Sequence, residues 1–134
     1  MQVFRPSDID LEGTSAPARG FAGASAPGGV ITRSAARLQS ADGGLRSGVW
    51  ESEAGTAEYV FSVDEWAYIL EGEATVTASG ATHVLRDGDV FYTPAGERMT
   101  WVVTAHVRKV WVHRRPPLHG RIRRKLARLV ARVR

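Results

Sequence analysis

The sequence predicts an all-β protein, an antiparallel barrel, followed by one basic helix at the C-terminus. Three observations support this fold class. Short segments rich in β-branched and aromatic residues recur at roughly the 8–12-residue spacing of sandwiches and barrels. Turn signals rich in glycine and aspartate separate these segments. No helical periodicity interrupts them before residue 114, which argues against a parallel α/β fold.

Length and composition are those of one globular domain. The chain has 134 residues, of which 43% are hydrophobic, enough to bury a core. It contains no cysteine, which excludes disulfides and thiolate chemistry. The N-terminus lacks the basic and apolar regions of a secretory signal, and no apolar run approaches the roughly 20 residues of a membrane span. We therefore expect a soluble, cytoplasmic protein.

Charge is distributed unevenly along the chain. The net charge is +4, but from Arg114 onward there are nine basic residues and no acids. The preceding 113 residues carry the other nine bases and all 14 acids, so 9 − 14 leaves them at −5. If the protein binds an anionic partner, we therefore expect the basic tail to bind it and not the acidic body of the chain.

The chain divides into three predicted parts. Residues 1–29, rich in Ala, Gly, Pro and Ser, are predicted to form a flexible arm. The alternative is that Val3-Phe4 and Ile9-Asp10-Leu11 add an edge strand or dock on a neighbouring surface. Residues 30–113 are predicted to form the barrel and residues 114–134 the basic helix.

The barrel region reads as a series of short strands. Residues 30–38 are ambiguous between a strand and a short helix. Glycines are predicted to turn the chain, among them Gly72 and Gly88. The other predicted strands are 45–53, 58–63, 66–71, 74–78, 82–85, 90–93, 99–104 and 106–113.

The C-terminal tail has the pattern of a basic amphipathic helix. Pro116-Pro117 ends the sheet. Beyond it, the apolar residues fall on one helical face, with arginines around the rest. They are Ile122, Leu126, Leu129, Val130 and Val133. This face either packs on the barrel or on a second subunit, or lies on an anionic membrane surface. Nucleic-acid binding is the least expected, because the tail has no aromatic residue to stack on bases.

Four segments together resemble the small single-domain cupins of the ureidoglycine aminohydrolase and ethanolamine-utilisation types. The segments are Gly48-Val-Trp-Glu51, Glu65-x-x-Tyr68-Ile-Leu-Glu-Gly72, Gly88-Asp89…Pro94-Ala-Gly96…Thr100-Trp101 and Val107-Arg-Lys-Val110. The resemblance implies a jelly-roll barrel with a central pocket that binds a small molecule. It also implies a homodimer and, if the protein is an enzyme, hydrolysis or isomerisation of a small polar metabolite.

The resemblance does not extend to the usual metal ligands of such barrels. Metal-binding cupins carry His-x-His and Glu in a first motif and His in a second. In this sequence Glu58 and Val60 stand at the first two positions, Glu65 is retained, and Met99 stands at the last. We therefore expect no metal site and no cofactor; a divalent cation bridging Glu58 and Glu65 is the less favoured alternative.

The predicted site is a pair of catalytic carboxylates, Glu58 and Glu65. The residues predicted to line their pocket are Trp50, Val60, Met99 and Trp101. If the matched positions face the interior, the two carboxylates repel each other, and the pKa of one rises. Glu65 would then act as general base and Glu58 as general acid.

Simpler interpretations stay open. If the two carboxylates do not share a pocket, Glu58, which lies next to a turn, faces water. Glu65 in that case accepts a hydrogen bond from a backbone amide. The four histidines are predicted to be ordinary surface or core residues; they are His83, His106, His113 and His119. The rival function is a non-enzymatic binding or interaction protein that works through its dimer surface or its basic tail.

Overall fold

The computed structural model describes residues 1–11, 24–25, 30–117 and 126–131. These residues form seven β-strands in one antiparallel sheet, a short 3-10 turn at Pro6–Asp8 and a helical stretch at 126–131. The strands are β1 (Ala24–Ser25), β2 (Thr32–Gln39), β3 (Leu45–Val60), β4 (Asp64–Ala78), β5 (Ala81–Arg86), β6 (Val90–Thr93) and β7 (Arg98–Arg114). The predicted all-β fold is thereby confirmed.

Strand β7 lies at the centre of the sheet. It pairs with β3 along one edge and with β4 along the other. Beyond them, β3 also pairs with β1 and β2, and β4 also pairs with β5 and β6. Because the long strands bend at register shifts, the sheet wraps around an apolar interior as a jelly-roll barrel.

In three places, two strands that were predicted as separate form one continuous strand. The predicted breaks within β3, β4 and β7 are therefore wrong. The break within β4 illustrates the reason. Gly72 has φ +87°, and a Cβ there would lie 2.0 Å from the carbonyl oxygen of His106 on β7. Only glycine permits this close approach. A glycine at a bulge and a glycine at a turn have the same local signature in sequence.

Alternate residues of β7 face the interior. Those that join the apolar core are Met99, Trp101, Val103, Val107 and Trp111. Met99 and Trp101, two of the residues predicted to line the pocket, are therefore on the same face of β7. Aromatic side chains from β3 and the residue after it complete the interior, with Trp50, Tyr59 and Phe61 in contact with one another or with Trp101.

Three apolar side chains among the first eleven residues pack on the outside of the sheet. Ile9 and Leu11 are buried against Ala35 and Val49, in a cluster that Phe4, Leu70 and Val110 complete. The Arg108 guanidinium fixes this segment by donating to the carbonyl oxygens of Pro6 (3.0 Å) and Ile9 (2.7 Å). Docking, and not flexibility, therefore describes this part of the predicted arm. Most of the remaining arm lies outside the described residues.

The predicted C-terminal helix is described only at residues 126–131, which are helical. The apolar side chains of this stretch, Leu126, Leu129 and Val130, are 56%, 58% and 57% exposed. Within the described residues, no helix has the length and apolar character needed to cross a membrane.

Candidate functional site

Lys109 lies at the centre of the barrel interior. It follows the inward alternation of β7, two residues after Val107 and two before Trp111. Its register partners are Trp50 on β3 and Ile69 on β4. A lysine this deeply buried, only 3% exposed, needs a counter-charge.

Glu65 on β4 supplies that counter-charge. The Nζ of Lys109 lies 2.6 Å from Oε1 of Glu65, and the two side chains are 4% and 1% exposed. The other oxygen, Oε2, lies 2.7 Å from Nε2 of His113, the register partner of Glu65 on β7. Both carboxylate oxygens thus accept hydrogen bonds. We call Glu65, Lys109 and His113 the interior charge cluster.

The surroundings of Glu65 favour its ionised form. Burial alone would raise the pKa of this carboxyl group, but the Lys109 ammonium and the hydrogen bond from His113 more than offset burial. The pKa is therefore held below its ordinary value of 4.5. This is the opposite of the raised pKa expected for one member of a carboxylate pair, because the neighbour of Glu65 is a cation.

Aromatic rings enclose the Lys109 ammonium. The Nζ atom lies 4.8 Å from the ring centroid of Trp101, 5.0 Å from Trp50, 5.4 Å from Phe91 and 5.7 Å from Phe61. Contacts of this kind stabilise a desolvated cation electrostatically. The ammonium is therefore held by one carboxylate and a cage of π-faces.

A small cavity adjoins the ammonium. Its volume is about 10 Å³, measured as the space open to the centre of a water molecule, so it holds about one water. It is lined by Trp50, Tyr59, Phe61, Glu65, Trp101, Lys109 and Trp111. The indole Nε1–H groups of Trp101 and Trp111 are buried and have no acceptor among the described residues. The wall of the cavity is mostly apolar, and two of the side chains that form it carry N–H donors without an acceptor in the described part of the chain.

The paired-carboxylate site predicted from the sequence is wrong. Glu58 lies on the outer face of β3, where its side chain is 46% exposed and lies 3.5 Å from Arg98. Val60, two residues further along β3, points to the same face as Glu58 and also lies outside the apolar core. The cause is the bulge near Gly55, which shifts the alternation of β3 by one residue.

Four of the predicted site residues do lie in the interior. Trp50, Glu65 and Trp101 line the cavity. Met99 belongs to the same apolar core and accepts a weak hydrogen bond from Thr93, with 3.6 Å between oxygen and sulfur. The structure therefore keeps the aromatic wall of the predicted pocket and one of its two carboxylates.

Lys109 and His113 are the site residues that sequence reasoning missed. A signal for them was present in the predicted strand 106–113. Both residues have the parity of Val107 and Trp111, the apolar face of that strand. A lysine within such a face is unusual enough to mark a buried ion pair.

The residues present do not fit a metal centre. Glu65, the one ligand position retained from metal-binding cupins, has an ammonium group 2.6 Å from one oxygen, which would repel a metal cation. Within the described ranges, no three His, Cys, Asp or Glu side chains are grouped so as to hold a metal ion. The Lys109 ammonium provides the positive charge beside this glutamate.

Comparison with solved structures shows the same fold. The EutQ protein of Clostridium difficile is 16% identical, with 80% of this chain and 81% of that chain covered and a TM-score of 0.63. A putative ethanolamine utilization protein Q of Salmonella typhimurium is 20% identical, with coverages of 87% and 94% and a TM-score of 0.59. The cupin domain of Schizosaccharomyces pombe Cnp3 is 16% identical, with coverages of 90% and 74% and a TM-score of 0.65.

Comparison by sequence identifies the family. No curated protein matches the chain significantly. Residues 39–111, just over half of the chain, match the EutQ-like cupin domain. This stretch contains all four segments that resemble cupins, most of the predicted barrel, and the cavity-lining residues. The chain belongs to the EutQ-like cupin domain family.

Proposed function

We propose that the barrel interior binds a small molecule through an oxygen acceptor, a carboxylate or a carbonyl, placed beside Lys109. The observation that carries this proposal is that Trp101 and Trp111, which line the cavity together with Lys109, have buried indole N–H groups with no acceptor among the described residues. A buried donor without a partner costs about 1–3 kcal/mol. An oxygen that enters the cavity recovers that cost.

The donors favour an anion over a neutral acceptor. An ammonium carries three N–H donors, and one of those on Lys109 is taken by Glu65. Both oxygens of Glu65 are already hydrogen-bonded, so the carboxylate offers little to a ligand that donates. A cavity of about 10 Å³ holds about one water, so a ligand of a few heavy atoms enters only if the aromatic walls move.

Any proton transfer in this site would fall to His113. Glu65 is ionised, and its lowered pKa makes it a weak base. It is placed instead to orient the His113 imidazole, a side chain commonly used as general acid or base. Glu58 takes no part, because it lies on the outer face of the barrel. Binding is the primary function that we propose, and catalysis would be built on it.

Calorimetry with formate tests this proposal, with formamide as the neutral acceptor of similar size. We expect formate to bind more tightly than formamide. Replacing either indole N–H, by Trp101→Phe or Trp111→Phe, should weaken formate binding by about three- to tenfold, the worth of one hydrogen bond. Trp66→Phe is the matched control, because Trp66 is on the outer surface. Absence of binding by either compound, or unchanged affinity in both interior variants, would overturn the proposal.

A second candidate function is protein interaction through the outer face of β4 and β6. Trp66 and Tyr92 are 57% and 49% exposed, and their ring centroids lie 5.7 Å apart. Tyr68 and Val90, a register pair on the same strands, extend this apolar surface. Such patches commonly mark interfaces, and a second copy of the chain is the occupant that we expect.

Light scattering during size-exclusion chromatography tests this second candidate. We expect a dimer of the unmodified chain and a monomer of Trp66→Glu. Val84→Glu is the control for an added surface charge, because Val84 is exposed on β5, away from this patch. A monomeric unmodified chain at about 50 μM, far above the Kd of a stable dimer, would remove the candidate.

A further inference from the structure

We propose that the C-terminal segment, residues 119–134, binds to an anionic membrane surface. The first observation is the exposure of its apolar face. Leu126, Leu129 and Val130 lie on one side of the described helical stretch, and each is more than half exposed. These three side chains are not buried against the barrel of their own chain.

The second observation is the charge that surrounds this face. The sequence pattern, read at 100° per residue, predicts that Ile122 and Val133 continue the stripe formed by Leu126, Leu129 and Val130. The same pattern predicts basic residues on both sides of the stripe, Arg123 and Arg134 on one and Lys125 and Arg132 on the other. The segment contains no acidic residue. An apolar stripe between two basic flanks is the pattern of helices that lie in the interface of anionic lipid bilayers.

The third observation concerns orientation. Arg128 lies on the opposite side of the helix from the apolar stripe. Its Nη2 atom lies 3.1 Å from where a Cβ of residue 96 would stand, so this side of the helix faces the loop after β6. The apolar stripe is therefore directed away from that loop, which leaves it available to a flat surface.

Charge argues against two other occupants. Pairing of two such helices in a dimer would bring their like-charged flanks together without any acid to separate them. The barrel is a weaker attraction for the tail than its acid content suggests, because six of its carboxylates already pair with barrel cations. Those paired with arginine or lysine are Glu51, Glu53, Glu58, Asp64, Glu65 and Glu73. A lipid surface supplies both dense negative charge and an apolar layer.

Vesicle co-sedimentation of the full chain tests the proposal. We expect binding to phosphatidylcholine vesicles that contain about 30 mol% phosphatidylglycerol, and at least tenfold weaker binding to phosphatidylcholine alone. The double variant Leu126→Asp/Leu129→Asp should lose more than tenfold in affinity, because two apolar side chains can no longer be buried.

Ala127→Asp/Ala131→Asp is the matched control. It adds the same two charges to the same helix, but both alanines lie outside the apolar stripe. We expect this control to lose less than the stripe variant. Equal losses, no sedimentation of the unmodified chain with anionic vesicles, or binding only to an added RNA or DNA duplex would each overturn the proposal. Thermal unfolding should be the same for all three proteins, since the substituted side chains are exposed.

Discussion

Replacing Lys109 by methionine should destabilise the barrel strongly. The substitution keeps an unbranched side chain of similar length but removes the ammonium that faces Glu65 at 2.6 Å. Glu65 then remains 1% exposed, and of its two partners in the described part of the chain it keeps His113. Removing one member of a buried ion pair costs about 3–5 kcal/mol, because the other charge is left without compensation.

Urea unfolding followed by tryptophan fluorescence measures this cost. With a loss of about 4 kcal/mol and a urea dependence of about 1.5 kcal/mol per molar, the midpoint should fall by roughly 2.5 M near pH 7. Arg98→Met is the matched control. It removes the cation from the ion pair between Arg98 and Glu58, whose two side chains are 71% and 46% exposed. The free energy of unfolding should fall by less than about 1 kcal/mol.

The pH dependence supplies a second check with a defined sign. In the unmodified protein the pKa of Glu65 is lowered. Ionised Glu65 therefore stabilises the folded protein at any pH above the pKa that Glu65 has in the unfolded chain. This stabilisation is lost as the pH falls through the lower pKa that Glu65 has in the folded protein. In Lys109→Met, burial acts without the ammonium, so the pKa of Glu65 should rise. The variant should then regain stability as the pH is lowered from about 7 to about 5, and its deficit should shrink.

The double variant Glu65→Gln/Lys109→Met separates charge from shape. It removes both charges and keeps side chains of similar size, so it should be more stable than Lys109→Met alone. If Lys109→Met costs no more than Arg98→Met, and its deficit is the same at both pH values, the buried ion pair does not have the role that we assign to it.

Two further predictions concern the frame around the site. Gly72→Ala should destabilise the protein by more than Gly88→Ala, because both glycines have φ +87° but only Gly72 has a backbone atom within 3.0 Å of an added Cβ; equal losses would refute the close approach. Leu11→Ala should cost about 2–5 kcal/mol in urea unfolding, because Leu11 is buried against the outside of the sheet. Val3→Ala, at an exposed position, should cost almost nothing, and the same small effect at Leu11 would mean that the N-terminal segment does not dock in solution.

The sequence was sufficient for the fold because fold signals are local. Alternation, turn glycines and the Gly88…Pro94-Ala-Gly96 motif each reflect the backbone of a few neighbouring residues. The errors in strand length also have a local cause. A glycine such as Gly72 breaks the pattern in the same way whether the chain turns or bulges, and only the position of β7 distinguishes the two.

The site was harder to predict because it depends on which residues of β3 face inward, and that alternation changes at a bulge. Trp50 and Tyr59 both face the interior although nine residues separate them, which a regular strand does not allow. The bulge near Gly55 resets the alternation and turns Glu58 outward. The contact between Glu65 and Lys109 joins two strands 44 residues apart in sequence, so it required the register of β4 on β7.

The most direct test of the proposed binding site is a titration of the indole N–H signals by ¹⁵N NMR with formate. We predict that the signals of Trp101 and Trp111 shift together and saturate, because each N–H gains an acceptor in the cavity. The signal of the exposed Trp66 should not move. If Trp101 and Trp111 stay unshifted at saturating formate, or shift no more than Trp66, the interior of this barrel does not bind an acceptor beside Lys109.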